Sequence, residues 1–126
     1  MREAERESTQ LSTDTTPSLD VVFDLLSNHR RRYVLYFLYD RPDGVATLEE
    51  VTDNVVAFEN REEGSELVSE IDRQKLEIRT ELQHVHVPKL EDSGVLEYDR
   101  RSETVRYWTQ PTLEEWLEHA YHKEFA

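Results

Sequence analysis

The stretch His84-Val85-His86-Val87-Pro88-Lys89-Leu90-Glu91-Asp92-Ser93-Gly94-Val95-Leu96-Glu97-Tyr98 contains a change of backbone period. Upstream of it, from about Leu67, Ile71, Ile78, Leu82 and Val85 recur at the seven-, four- and three-residue spacings of one helical face. Pro88 offers no N–H and its ring clashes with the carbonyl four residues back, so the helix must kink or restart there. Helical spacing then continues to Ser93, and Gly94 supplies a left-handed stop. Beyond it, Val95-Leu96-Glu97-Tyr98 and Thr104-Val105-Arg106-Tyr107-Trp108 flank the polar Asp99-Arg100-Arg101-Ser102-Glu103, which predicts a β-hairpin.

Toward the N-terminus, Asn60 to Ser65 is polar and reads as a loop. Thr47 and Glu50 form a capping box ahead of Leu48, Val51, Val55 and Phe58, a helix whose outer face carries Glu49, Asp53 and Asn54. Val45-Ala46 suits a very short strand, after the turn at Asp43-Gly44. A helix over roughly His29 to Tyr39, capped from Ser27-Asn28, is apolar on most sides between Tyr33 and Leu38, as a helix covered by neighbours would be. Before it, Ser18 caps a helix with Leu19, Val22, Phe23 and Leu26 on one face. Residues 1–17 show no apolar period and read as a flexible tail. At the other end Pro111-Thr112 opens a helix with a capping box of Thr112 and Glu115 and a stripe of Leu113, Trp116, Leu117, Ala120 and Tyr121.

Three or four helices followed by a hairpin is the order of a winged helix-turn-helix. The expected fold is mainly α with a small β-hairpin: a tail over 1–17, a winged-helix domain over 18–110 and an extra C-terminal helix over 111–126 that packs on the domain or dimerises. The long helix is the expected recognition helix and the hairpin the wing.

The 126 residues suit one domain, and 37% hydrophobic content with six Tyr, four Phe and two Trp is enough for a modest core. Without cysteine there is no disulfide, thiolate metal site or thiol nucleophile. No run approaches the roughly 20 apolar residues of a membrane span, and no apolar segment follows the charged start, so a cytoplasmic protein with no membrane partner is expected. Acidic residues number 28 against 15 basic ones, a net charge of −13, and only Lys75, Lys89 and Lys123 are lysine. That balance fits a halophile, where a Debye length of about 3 Å at 1 M salt screens self-repulsion. An acidic mesophile protein or a binder of basic partners would share the composition.

Leu26-Ser27-Asn28-His29-Arg30-Arg31-Arg32-Tyr33-Val34-Leu35, Leu48-Glu49-Glu50-Val51 and His84 to Tyr98 together resemble a haloarchaeal family of small winged-helix domains, over about Leu19 to Trp108. Members are described as predicted transcriptional regulators or domains of unknown function and are broadly similar to ArsR- and MarR-type winged helices. The Lys89 to Leu96 segment is common to many winged helices; the arginine triplet and the His-x-His-x-Pro run are more particular to this group. Two departures are plain. The connection from Phe58 to Leu67 exceeds the usual turn of about 3–4 residues, and Glu70 to Val87 is not basic, with Glu70, Asp72, Glu77 and Glu81 against Arg73, Lys75 and Arg79.

With Ile71, Ile78, Leu82 and Val85 inward, Arg73, Leu76, Thr80, Gln83, His84 and Val87 form an outward arc without a carboxylate. Arginine and glutamine read guanine and adenine edges, so Arg73, Arg79, Thr80, Gln83 and His84 are the candidate base readers. The alternative is an ordinary solvated or dimer-facing surface. Arg30, Arg31 and Arg32 lie in a first helical turn, where the macrodipole disfavours cations, so either DNA phosphates or nearby carboxylates must compensate. Arg100 and Arg101 at the hairpin tip suit backbone or minor-groove contact, or are simply solvated.

Leu113, Trp116, Leu117 and Tyr121 are the candidate dimer face, which would set two recognition helices about 34 Å apart along DNA. The histidines do not make a metal site: His84 and His86 point about 160° apart on a continuous helix, and neither they nor His119-x-x-His122 have a cysteine. Without a phosphate loop or nucleophile motif, no enzyme activity and no cofactor are expected. The sequence thus predicts a double-stranded-DNA-binding regulator acting as a homodimer, with a protein-binding winged helix as the alternative.

Overall fold

The computed structural model describes residues 17–61 and 68–125. The expected tail up to residue 16, and the Asn60–Ser65 loop from residue 62 on, lie outside them. Helices α1 (Leu19–Leu26), α2 (His29–Asp40), α3 (Leu48–Glu59), α4 (Val68–Glu81), α5 (Val87–Asp92) and α6 (Pro111–Phe125) surround a small sheet of β1 (Val45–Thr47), β2 (Leu96–Asp99) and β3 (Thr104–Tyr107). The sheet is antiparallel in the order β1-β3-β2, with Ala46 and Tyr98 both opposite Val105. The architecture is mainly helical.

Local chemistry explains most boundaries. Ser18 accepts the Val21 N–H, Asn28 accepts those of Arg30 and Arg31, and Thr47 and Glu50 satisfy each other's backbone N–H groups, so three helices start on side-chain caps. Gly94 (φ 79°) ends α5: its own N–H reaches the Glu91 carbonyl and that of Val95 reaches Leu90, a Schellman closure. Gly44 (φ 67°) is needed twice over, because a Cβ there would also meet the Tyr107 carbonyl oxygen at 3.1 Å.

Two helix ends differ from expectation. α6 begins at Pro111, earlier than a Thr112 cap allows, and Glu114 rather than Glu115 reaches back, accepting the Gln110 N–H and the Tyr107 hydroxyl. α1 buries Val22, Leu25 and Leu26 but leaves Leu19 and Phe23 exposed, since this short helix meets α2 and α6 on one side only.

Between α4 and α5 the backbone makes a π turn, Leu82–His86, in which the Val87 N–H bonds to the carbonyl of Leu82, five residues back. The added residue rotates the helix downstream of it by about 100°. The helix restarts at Val87 with Pro88 in its first turn, where a missing N–H does no harm. This rotation corrects the expected inward face: Ile78 and Leu82 are buried, but Val85 is 50% exposed while His86 and Val87 take the interior, at 2% and 1%.

His86 is held by polar partners on both sides. The Arg31 guanidinium lies 3.2 Å from Nδ1, and Nε2 lies 2.6 Å from the Glu81 carboxylate. With Arg31 donating to Nδ1, the ring is neutral and Nε2–H donates to Glu81. Arg31 is itself buried and also donates to the carbonyls of Leu25 and Asp24, at the open end of α1. Around it the apolar core runs from Val22 and Leu25 through Leu35 and Leu38 to Ile78, Leu82, Leu90, Val105, Leu113 and Leu117.

Burial pushes the His86 imidazole below its ordinary 6.5, the Glu81 carboxylate opposing and the neighbouring arginines adding to the shift. Below pH 6.5 the unfolded chain therefore takes up a proton that folded His86 refuses, and stability falls until the folded ring is protonated. Glu81 and Glu124, held below the ordinary 4.5 by hydrogen bonds and ion pairing that outweigh their desolvation, add a second loss at lower pH. Urea unfolding across pH should show a slope beginning near 6.5 in the wild type that is flattened in His86→Gln. Equal slopes in both would place the proton uptake elsewhere.

Candidate nucleic-acid interface

On α4 and the π turn, Arg73, Leu76, Thr80 and His84 are exposed and Gln83 is half-buried, so these expected readers share an accessible surface. Leu76 is 66% exposed. The surface is not free of carboxylates: Arg73, Leu76, Thr80 and His84 line a shallow concavity together with Glu77, Glu81 and Val85. Val85 has moved onto it and Val87 has left it, both through the π turn.

Arg79 does not stand among the readers. It donates to Glu103 at 2.9 Å and lies 3.9 Å from Glu49, joining α4 to the hairpin tip and to the start of α3. Lys75 bridges Glu49 and Asp53 at 3.1 and 2.8 Å, and these carboxylates raise its pKa. The acidic outer face of α3 is therefore met by cations of α4. Glu103 takes a left-handed conformation (φ 54°), uncommon for a residue with a Cβ, and its carbonyl accepts the Leu48 N–H at 2.8 Å. Both ends of this residue thus fasten the hairpin to α3 and α4.

The arginine triplet lies inside the domain. Arg30 pairs with Glu59 at 2.5 Å and Glu81 at 2.7 Å; Arg32 donates to Glu124 and to the Leu26 carbonyl; Arg31 is buried against α1 and His86. The carboxylate partners raise the pKa of Arg30 and Arg32, whereas desolvation lowers that of Arg31. Internal partners thus answer the macrodipole cost at the start of α2, and the expected phosphate contact by these three is not what their geometry offers.

By contrast, the side-chain cations of Arg73, Arg100, Arg101, Arg106 and Lys123 have neither a carboxylate within 4.0 Å nor a hydrogen-bond acceptor among the described residues. Three of the five belong to the hairpin. Arg100 lies over Tyr98 and Arg106 over Trp108, with guanidinium carbons 5.7 and 5.4 Å from the ring centres. The sequence reading missed Arg106 and Trp108. The alternation along β3 held the signal, with Val105 and Tyr107 buried and Arg106 and Trp108 exposed between and beyond them.

Of the candidate dimer face, Leu113 and Leu117 are buried in their own domain, at 0% and 1%. They pack α6 onto α1 and α2, so only Trp116 and Tyr121 remain on the surface. Trp116 makes an edge contact with Phe23, ring centres 5.1 Å apart. Among the described residues no three His, Asp or Glu side chains gather as metal ligands, and no helix is long and apolar enough to cross a membrane.

Fold and surface define a small, mainly helical domain in which three arginines without carboxylate partners among the described residues lie on a β-hairpin and a fourth, Arg73, lies on α4. The chain belongs to the family described as a domain of unknown function, DUF7344, whose model matches residues 23–106. That span runs from within α1 to β3. Comparison with curated proteins and with solved structures gave no match.

Arg79→Ala should free the hairpin tip. Amide exchange in Thr104–Tyr107 should accelerate, while global stability falls by no more than about 1 kcal/mol, as befits a partly exposed ion pair. Unchanged exchange there would mean that the Leu48–Glu103 bond holds the tip alone.

Proposed function

We propose that this chain is a winged-helix transcriptional regulator that binds double-stranded DNA, with α4 at the major groove and the β2–β3 hairpin as the wing. The observation that carries this reading is the placement of Arg100, Arg101 and Arg106 on one hairpin without carboxylate partners, in a chain of net charge −13. The element order supports it too: helix, short strand, α3, α4 continued through the π turn into α5, and a hairpin whose last strand pairs with the first. Arg73, Thr80 and His84 are the base readers in this reading, with Gln83 at their edge; Arg79 fixes the angle between α4 and the wing.

Dimerisation uses the exposed Leu19, Phe23 and Trp116 at the junction of α1 and α6, in place of Leu113 and Leu117. The acidic surface belongs to a molar-salt, cytoplasmic setting, where counterion release adds little affinity and base contacts and water-mediated fit carry more. A protein-binding winged helix is the second reading, favoured by the exposed apolar Leu76 and Val85 beside Glu77.

Purified protein in molar KCl should retain genomic fragments that share a short pseudo-palindromic site. Arg73→Ala should relax selection at one base position, at a cost of about 1–3 kcal/mol, whereas Arg100→Ala with Arg101→Ala should weaken all sequences alike. A folded protein that enriches nothing would overturn the DNA reading, and enrichment of a single half-site would overturn the dimer.

A further inference from the structure

A cleft of about 580 Å³ lies between α2, α3 and α6, lined by none of the residues that the DNA reading uses. Its size falls in the roughly 300–1,000 Å³ range of small-molecule sites. Aromatic rings form much of its wall: Tyr36 and Tyr39 from α2, Phe58 from α3 and Tyr121 from α6. They brace one another, with Tyr36 edge-on to Tyr121 at 5.1 Å and to Phe58 at 6.2 Å between ring centres. The Tyr36 hydroxyl donates to Glu124, which Arg32 also holds, so its ring is fixed from behind by an ion pair.

Two carboxylates complete the lining, Asp40 and Glu118. Neither has a lysine or arginine within 4.0 Å among the described residues, whereas Glu59, Glu81 and Glu124 deeper in the domain are all paired. Glu118 accepts the Tyr39 hydroxyl, and this hydrogen bond pushes the phenol up to about 12. No lysine or arginine lines the cleft, and His122 is the one lining side chain able to become positive.

Ring faces carry negative quadrupole potential and attract cations whose hydration is weak. A simple metal ion keeps its water and gains little from such walls. An anion meets two carboxylates and no compensating cation. A neutral apolar molecule would fill the cleft but bring no positive charge to the carboxylates. We infer that the α2–α3–α6 cleft binds a small organic cation with an apolar body, of the alkyl- or aryl-substituted quaternary ammonium class, its charge between Asp40 and Glu118 and its apolar groups against the tyrosines. This inference stands apart from the DNA reading and survives its failure.

Benzyltrimethylammonium and phenylmethanesulfonate carry the same benzyl group with opposite charges. Titrated into the full chain in molar NaCl and followed by NMR, the ammonium should bind saturably and shift the Tyr36, Tyr39 and Tyr121 ring resonances, and the sulfonate should not. Asp40→Asn combined with Glu118→Gln changes charge but hardly volume at two exposed positions, and should weaken binding at least about ten-fold with an unchanged thermal midpoint. Tyr121→Leu, which keeps an apolar wall but removes a ring face, should also weaken it. Absence of ammonium binding, equal binding of the two benzyl compounds, or full affinity in the charge-neutral double variant would each overturn the inference.

Discussion

The buried guanidinium of Arg31 is the constraint on which this fold turns. It is only 7% exposed, and desolvation lowers its pKa, so burying it is costly unless its donors are met. They are met by the last-turn carbonyls of α1, where a helix has unsatisfied acceptors and a negative dipole end, and by Nδ1 of His86. Each partner satisfies a need of the other: α1 ends without a basic residue of its own, and an inward histidine has an acceptor nitrogen to fill. One side chain thereby fixes α1 against α2 and dictates which residue of the π turn faces inward.

That choice propagates to the surface. Had the helix run through Pro88 at a regular period, Val85 would face the core and Val87 the solvent. With His86 drawn inward, Glu81 follows it and also receives Arg30, so a carboxylate at the edge of the exposed concavity is anchored to the interior. The same logic recurs at the other end of the domain, where Arg32 and the Tyr36 hydroxyl converge on Glu124 and seat the C-terminal turn of α6. Pairing across elements removes the triplet's charge from the surface, whereas Arg73 on α4 and the three hairpin arginines have no carboxylate partner among the described residues.

Features whose cause lies within a few residues were legible in the sequence. The caps at Ser18, Asn28 and Thr47 and the Gly94 closure are of this kind, since donor and acceptor are at most about five residues apart, and the hairpin follows from two β-rich runs on either side of one short polar turn. The restart at Pro88 was legible too, but not its direction, because the partner that draws His86 inward is 55 positions away. Arg32 and Glu124 are separated by 92. The candidate site suffered most from this. Whether Arg79 reads a base or braces Glu103, and whether Leu113 faces a partner or α1, depends on contacts that no local period encodes. Arg73 and Thr80 on α4 and His84 in the π turn are exposed as the helical period predicts.

Salt separates the two populations of charge. Screening acts within about 3 Å at 1 M but reaches poorly into partly buried pairs. Arg30 with Glu59 and Glu81, and Arg32 with Glu124, sit where side chains are mostly covered, at 13–34% exposure, so their attraction persists at high ionic strength. The hairpin arginines have no such shelter. In the proposed DNA complex at molar salt they would attract phosphate only at contact distance, as short-range hydrogen-bonding groups and not as a long-range electrostatic guide. Stacking on Tyr98 and Trp108 then matters more than net charge, because a guanidinium already ordered on a ring loses less freedom when it bonds. Under the proposed function, a surface built this way would discriminate by fit rather than by field, in a chain that carries 28 acidic residues.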